Sequence, residues 1–190
     1  MKKISLLLLI SALCAHSQPT MAQSQEEMKA MMDYATPGNI HKMMAKSVGT
    51  WSGDISMWMQ PGASVIHATG VSQNDTILGG RYLQAKNTGN FMGMPFEGIS
   101  VTGYDNAKKT FVNSWIDNMG TGMMFLQGKW DPQTNSINFT GNMVDPMSGK
   151  DIQVREVLKF VDENTQIMEM YAMSGGKEFK NMEIKYTRTK

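Results

Sequence analysis

The sequence predicts an all-β fold, an antiparallel up-and-down β-barrel of about ten strands with one or two short helices ahead of it. Three observations carry that expectation. From residue 48 onward, runs that alternate apolar and polar side chains recur roughly every 10 to 15 residues. Each run is bounded by Gly, Pro, Asp or Asn in turn-forming order, and no helical stretch long enough for a crossover separates any two of them. Neighbouring runs therefore pair antiparallel, and closure is favoured because it leaves no exposed sheet edge. A two-sheet sandwich is the alternative.

The chain opens with Lys2 and Lys3, then the apolar run Leu6, Leu7, Leu8, Leu9, Ile10, then small and polar residues to Ala22. This is the layout of a secretory signal peptide over residues 1–22, and its apolar run is too short to span a bilayer. Cys14 invites a lipoprotein reading. Lipid attachment wants a small residue just before the cysteine, and Leu13 stands there, so simple cleavage after Ala22 is preferred. A periplasmic or secreted address follows. Cleavage also removes the only cysteine, leaving no disulfide and no thiol nucleophile. Losing Lys2 and Lys3 takes the formal charge from +1 to −1. Near neutrality without a basic run argues against nucleic acid as a partner, and no later segment is apolar enough to be a transmembrane helix. The rest divides into a helical segment, 23–47, and one barrel domain, 48–190; its oligomeric state is not legible.

In the helical segment, Ser24 and Glu27 have capping-box spacing, Met28, Met31 and Met32 fall on one helical face, and Pro37 with Gly38 ends the helix. Asn39 is placed to cap a second helix whose apolar side is Ile40, Met43 and Met44 and whose end is Gly49. Both helices are expected to pack on the sheet or close a barrel end. The strands then fall at about 49–59, 65–77, 81–86, a fourth from about 96, then 110–117, 123–130, 136–143, 152–160, 165–173 and 179–188. Pro95 cannot donate to a ladder, so the fourth strand is expected to begin after it or to bulge there, with 91–96 a rim loop.

The stretch 110–117 is the most telling. Its odd row holds Phe111, Asn113, Trp115 and Asp117 and its even row Thr110, Val112, Ser114 and Ile116, so neither face is plainly solvated. Polar groups between aromatics suggest a cavity wall. On the eighth strand Glu156 shares a row with Ile152, Val154, Leu158 and Phe160; on the ninth, Met168 and Met170 share one, opposite Glu169 and Tyr171.

Gly49-Thr50-Trp51 on the first strand, with Arg188 on the last, resembles the Gly-x-Trp and distant Arg pair of lipocalin-like (calycin) barrels, in which the Arg lies over the Trp at the closed end. A closer resemblance covers nearly all of residues 23–190. Val48-Gly49-Thr50-Trp51, Gly79-Gly80-Arg81, Phe91 through Gly98, Gly103-Tyr104-Asp105-Asn106, Trp115-Ile116-Asp117, Gly120-Thr121-Gly122, Asp145 through Lys150, Val154-Arg155-Glu156 and Lys177-Glu178-Phe179 are similar to the secreted bacterial family called domain of unknown function 1579. That resemblance implies a calycin-like barrel and no particular activity.

Candidate chemistry gathers on a few side chains. Glu156 in an apolar row needs a partner or a raised pKa, and Arg81 is the expected partner, since Arg155 points to the opposite face. A structural ion pair is favoured over a catalytic carboxylate. Asp117 beside Trp115 is either a cavity anchor or a turn cap, and Tyr104 either a ligand contact or a rim aromatic. No cofactor motif or nucleophile elbow is present, and no His, Asp or Glu spacing suits a metal. The 20 methionines are the compositional anomaly. Met57 with Met59, Met92 with Met94, and Met168 with Met170 suit Cu(I) by softness, but period-two spacing favours core or pocket lining. The leading expectation is a cavity lined by Arg81, Phe96, Tyr104, Trp115, Asp117, Glu156, Met168 and Met170 that holds a small apolar or amphipathic molecule. An enzyme using Glu156 or Asp117 in that cavity, and a structural or interaction protein with a filled barrel, are the alternatives.

Cleavage after Ala22 makes Gln23 the first residue of the exported protein. Intact-mass measurement of that protein is expected to give the unmodified 23–190 chain; a lipid-bearing species beginning at Cys14 would contradict it.

Overall fold

The computed structural model describes residues 21–190, with side chains from residue 24. The expected leader through Thr20, Cys14 included, lies outside the described residues. The chain divides into two units between Asp33 and Tyr34. The described part of the first is residues 21–33 of helix α1 (Met21–Ala35). Because it is already running at Met21, Ser24 lies inside the helix and is not its cap. Met28, Met31 and Met32 are exposed, so their stripe is not a buried face; a Lys29–Asp33 ion pair one turn apart supports the helix from its solvated side.

The second unit begins with α2 (Asn39–Ala45), whose N-cap is Gly38 and not Asn39. The Gly38 backbone N–H donates to His41 Nδ1 at 3.0 Å, so His41 supplies the bond that a residue at the third helical position makes back to the N-cap in a capping box. The helix stops at Ala45 without help from Gly49, as the N–H groups of Ser47 and Val48 close onto the carbonyls of Met44 and Ala45.

Ten strands follow among the described residues: β1 (Gly49–Met57), β2 (Ile66–Ile77), β3 (Tyr82–Phe91), β4 (Met94–Asp105), β5 (Thr110–Asp117), β6 (Met124–Asp131), β7 (Ser136–Asp145), β8 (Lys150–Phe160), β9 (Thr165–Ser174) and β10 (Lys177–Arg188). Each pairs antiparallel with the next, and β1 pairs with β10 from Trp51 opposite Arg188 to Met57 opposite Met182, which closes the barrel. The sandwich is thereby excluded. The strands begin and end within a few residues of expectation except around Pro95. There the chain continues as strand on both sides of a tight turn at Met92 and Gly93, both with positive φ, so 91–96 is not a loop. Pro95 is tolerated because β5 joins β4 only from Gly98 onward, leaving no neighbour to need the missing N–H.

Alternation sets the inner rows. Phe111, Leu126, Ile137, Phe139, Val154 and Ala172 form one buried cluster to which α2 adds Met44, while β2 to β4 turn small residues such as Ala68, Ser72, Ala85 and Ser100 inward. Large side chains from one half of the wall thus fill space left by the other. At the end nearest α2 the closure is pinned by Arg188. Its guanidinium lies 4.1 Å from the Trp51 ring centre, and its N–H groups donate to the carbonyls of Lys46, Val48 and Glu163. Trp51, fully buried, donates its indole N–H to Ser47 O at 2.9 Å. Gly49 is required: its φ is +130°, and a Cβ there would meet Lys190 O at 2.4 Å and the Arg188 guanidinium at 2.7 Å.

Arg188→Ala removes three charge-assisted hydrogen bonds and a cation–π contact together. It is expected to cost about 3 kcal/mol or more in urea unfolding. Arg188→Lys should recover less than half of that loss, because a single ammonium cannot serve three carbonyls in a fixed fork.

Candidate functional site

The up-and-down path gives the barrel two unlike ends. Turns 78–81, 106–109, 132–135 and 161–164 lie at the α2 end, and carry Arg81, Lys108, Lys109, Asp162 and Glu163 on their exposed surface. Segments 58–65, 92–93, 118–123, 146–149 and 175–176 lie at the other end. Methionine is exposed on four of those five: Met59, Met92, Met119 with Met123, and Met147, which is 93% exposed. One end is therefore charged and sealed, and the other is rimmed by soft apolar side chains.

The open end holds a pocket of about 340 Å³ lined by Met57, Trp58, Met59, Asp145, Ile152, Ala172, Met173, Ser174, Phe179, Asn181 and Met182. Met57, Ile152, Ala172, Phe179 and Met182 belong to inner rows of β1, β8, β9 and β10. Phe179 and Met182 differ in parity yet both face inward, opposite Ala172 and Met170, because β10 carries a bulge between Lys180 and Met182. Asn181 sits in that bulge. Its backbone carbonyl accepts from Trp58 N–H at 2.9 Å, tying the bulge to the end of β1. Asp145 is held below the usual carboxylate range by the Ser148 hydroxyl, the Met147 N–H and the Ser148 N–H, so it keeps its negative charge at the rim.

Two inward positions below Ile152 on β8 lies Glu156. It is 9% exposed, faces Phe139 and Met170 across the ladder, and has no hydrogen bond or ion pair among the described residues. Burial pushes its carboxyl up to about 7. Burial, with the nearby Glu156 charge, likewise raises the Tyr186 hydroxyl above its ordinary range. Higher still, Thr102 Oγ1 donates to the buried Asn113 Oδ1 at 3.3 Å, which satisfies part of that inner amide.

The eight residues expected to share a cavity are distributed differently. Glu156, Met168 and Met170 do come together on adjoining inner rows. Phe96 stacks on Trp115 with ring centres 6.3 Å apart, and Trp115 donates its indole N–H to Asp117 Oδ2 at 2.7 Å. The other Asp117 oxygen accepts from Met119 N–H, so both are engaged locally and Asp117 acts as a turn cap. Tyr104 packs edge-on against His41 and Phe111 beneath α2. Arg81 is not the partner of Glu156: it is exposed on the turn after β2 and donates to Leu78 O at 3.1 Å. Arg155 does point outward, as its parity requires, and forms a bidentate pair with Glu178. None of the eight lines the open-end pocket. Its own lining was missed apart from the Met57 and Met59 pair, and the signal that marks it is the change of phase between Phe179 and Met182. Among the described residues no group of His, Cys, Asp or Glu could hold a metal ion.

A family model described as "Protein of unknown function (DUF1579)" matches residues 36–188. The crystal structure of Rv2717c from M. tuberculosis is similar to this chain with a TM-score of 0.61 at 10% identity, over 82% of this chain and 100% of that one. At that identity the likeness is one of fold. No curated protein matches the chain.

Glu156 holds its proton in the folded barrel up to about pH 7, against 4.5 in an unfolded chain. Between those values the folded state binds more protons, so stability falls as pH rises through the window and levels off above it. The cost above pH 7 is about 3 kcal/mol. His41, whose pKa burial lowers, works in the opposite sense in its own range, so the comparison is made between chains. The stability of Glu156→Gln minus that of the native chain, from urea unfolding, is expected to rise by about 3 kcal/mol from about pH 4 to about pH 8. A difference independent of pH would contradict the unpaired carboxyl.

Proposed function

We propose that this chain, which belongs to the family described as "Protein of unknown function (DUF1579)", is an exported binding protein that holds one small, mostly apolar or amphipathic molecule at the open end of its barrel. The observation that carries this reading is the pocket of about 340 Å³, a volume within the range of small-molecule sites. Four methionines, Met57, Met59, Met173 and Met182, line it beside Trp58 and Phe179. Thioether chains are unbranched and polarizable, so they mould to apolar surfaces of varied shape. The exposed methionines of the surrounding rim give an apolar molecule a path of like chemistry into the pocket. The leader-like residues 1–22 support export, and the sealed opposite end supports a single entrance.

The high proton affinity of Glu156 favours a second reading, in which it acts as a general acid or base on a ligand that penetrates below Ile152. Turnover lost in Glu156→Gln with binding intact would be its signature.

Binding of the neutral apolar probe N-phenylnaphthylamine, followed by its fluorescence, tests the first reading. The native chain is expected to bind it saturably. Ala172→Met, which extends a thioether chain into the pocket, should weaken binding by about tenfold. Arg81→Ala, on the far turn, should leave it unchanged. Equal binding by all three proteins would remove the pocket from the reading.

A further inference from the structure

Asn181 lies in the wall of the pocket between Phe179 and Met182. Its Oδ1 is buried and, among the described residues, accepts no hydrogen bond. A buried amide oxygen without a donor loses its hydration and gains nothing in return, a cost of about 1 to 3 kcal/mol. A buried polar atom in that condition calls for an explanation, and a bound ligand group is one. The position is also specified by the backbone. The bulge between Lys180 and Met182 interrupts the alternation of β10 and brings Phe179 and Met182 inward on either side of Asn181. A regular strand would give one of those two residues the opposite face.

The charges around the pocket restrict what the amide can meet. Asp145 on the lining keeps its negative charge, and both its oxygens are occupied by the turn that follows β7. Lys180, 5.8 Å from the Trp58 ring centre, is committed to Glu169 and Glu183. An anionic head group would therefore enter beside the charged Asp145 carboxylate. An aliphatic molecule with no polar group would leave Asn181 as it is.

We propose that the open-end pocket selects an apolar molecule carrying one neutral hydrogen-bond donor, a hydroxyl in the simplest case, whose donor is received by Asn181 Oδ1 while the apolar body lies among Met57, Phe179 and Met182. The inference rests on the proposed binding role of the pocket and names its ligand class. No hydrogen bond in the described residues restrains the Asn181 amide, so a turn about its Cβ–Cγ bond towards the ligand breaks none.

The test is displacement of bound N-phenylnaphthylamine by decanol, its methyl ether and decanoate. In the native chain decanol is expected to act at about tenfold lower concentration than the ether, one hydrogen bond's worth of affinity, with decanoate the weakest. Asn181→Leu should bind the probe and bring decanol and the ether to the same concentration. Asn181→Asp, which keeps an acceptor, should retain the preference for decanol over the ether and serves if the leucine variant does not fold. Decanol and ether equal in the native chain, or a preference that survives Asn181→Leu, would overturn the assignment while leaving apolar binding in place. Failure of the probe and all three alkyl compounds to bind would overturn the binding role itself, and the assignment with it.

Discussion

Closure of the sheet between β1 and β10 is the constraint on which the rest depends. Once Trp51 stands opposite Arg188, the register of those two strands is set down to Met57 and Met182, and every inward row follows from it. The Arg188 guanidinium holds that seam at one end by reaching three backbone carbonyls and covering the Trp51 ring. A slip of one residue would turn Met57 and Met182 outward and expose Trp51. Gly49 belongs to the same device, because only a residue without a side chain fits between Arg188 and Lys190.

Sealing one end this way leaves the opposite end free to vary. The sealed half uses bulky side chains from β5 to β9 and Met44 of α2 to exclude water, and its turns are charged. The open half keeps unfilled space between β1, β8, β9 and β10, and its rim is methionine. Glu156 lies between the two regimes, deep enough to lose hydration and short of any partner. Its proton affinity is a consequence of that depth. The bulge in β10 adds Asn181, whose buried Oδ1 accepts no hydrogen bond among the described residues, at the border between filled and unfilled barrel.

Much of the fold was legible because period-two alternation and turn chemistry are local signals. The run 110–117 was read with its bounds as found, Asp105 does make the turn after β4 by accepting from the N–H groups of Ala107 and Lys108, and Met168 and Met170 share an inner row. Contacts between distant segments were less legible. Arg81 was matched to Glu156 by charge alone, although a strand's parity says which face a residue takes and nothing about which end of the barrel it occupies. Pro95 was read as a strand breaker because the sequence does not show that β5 stops short of it. The pocket was missed for a related reason: a bulge shifts the inner row within one strand, and strict alternation places Phe179 and Met182 on opposite faces.

The most direct test of the account is to purify the protein from its native host, record its mass under native conditions, and extract it under denaturing ones. The account expects one small neutral molecule per chain, largely hydrocarbon with a single hydroxyl or comparable donor, released on denaturation and absent from Ala172→Met prepared alongside. A retained ligand equally abundant in Ala172→Met would contradict the pocket assignment, and a bound copper ion in place of an organic molecule would assign the clustered thioethers to metal binding.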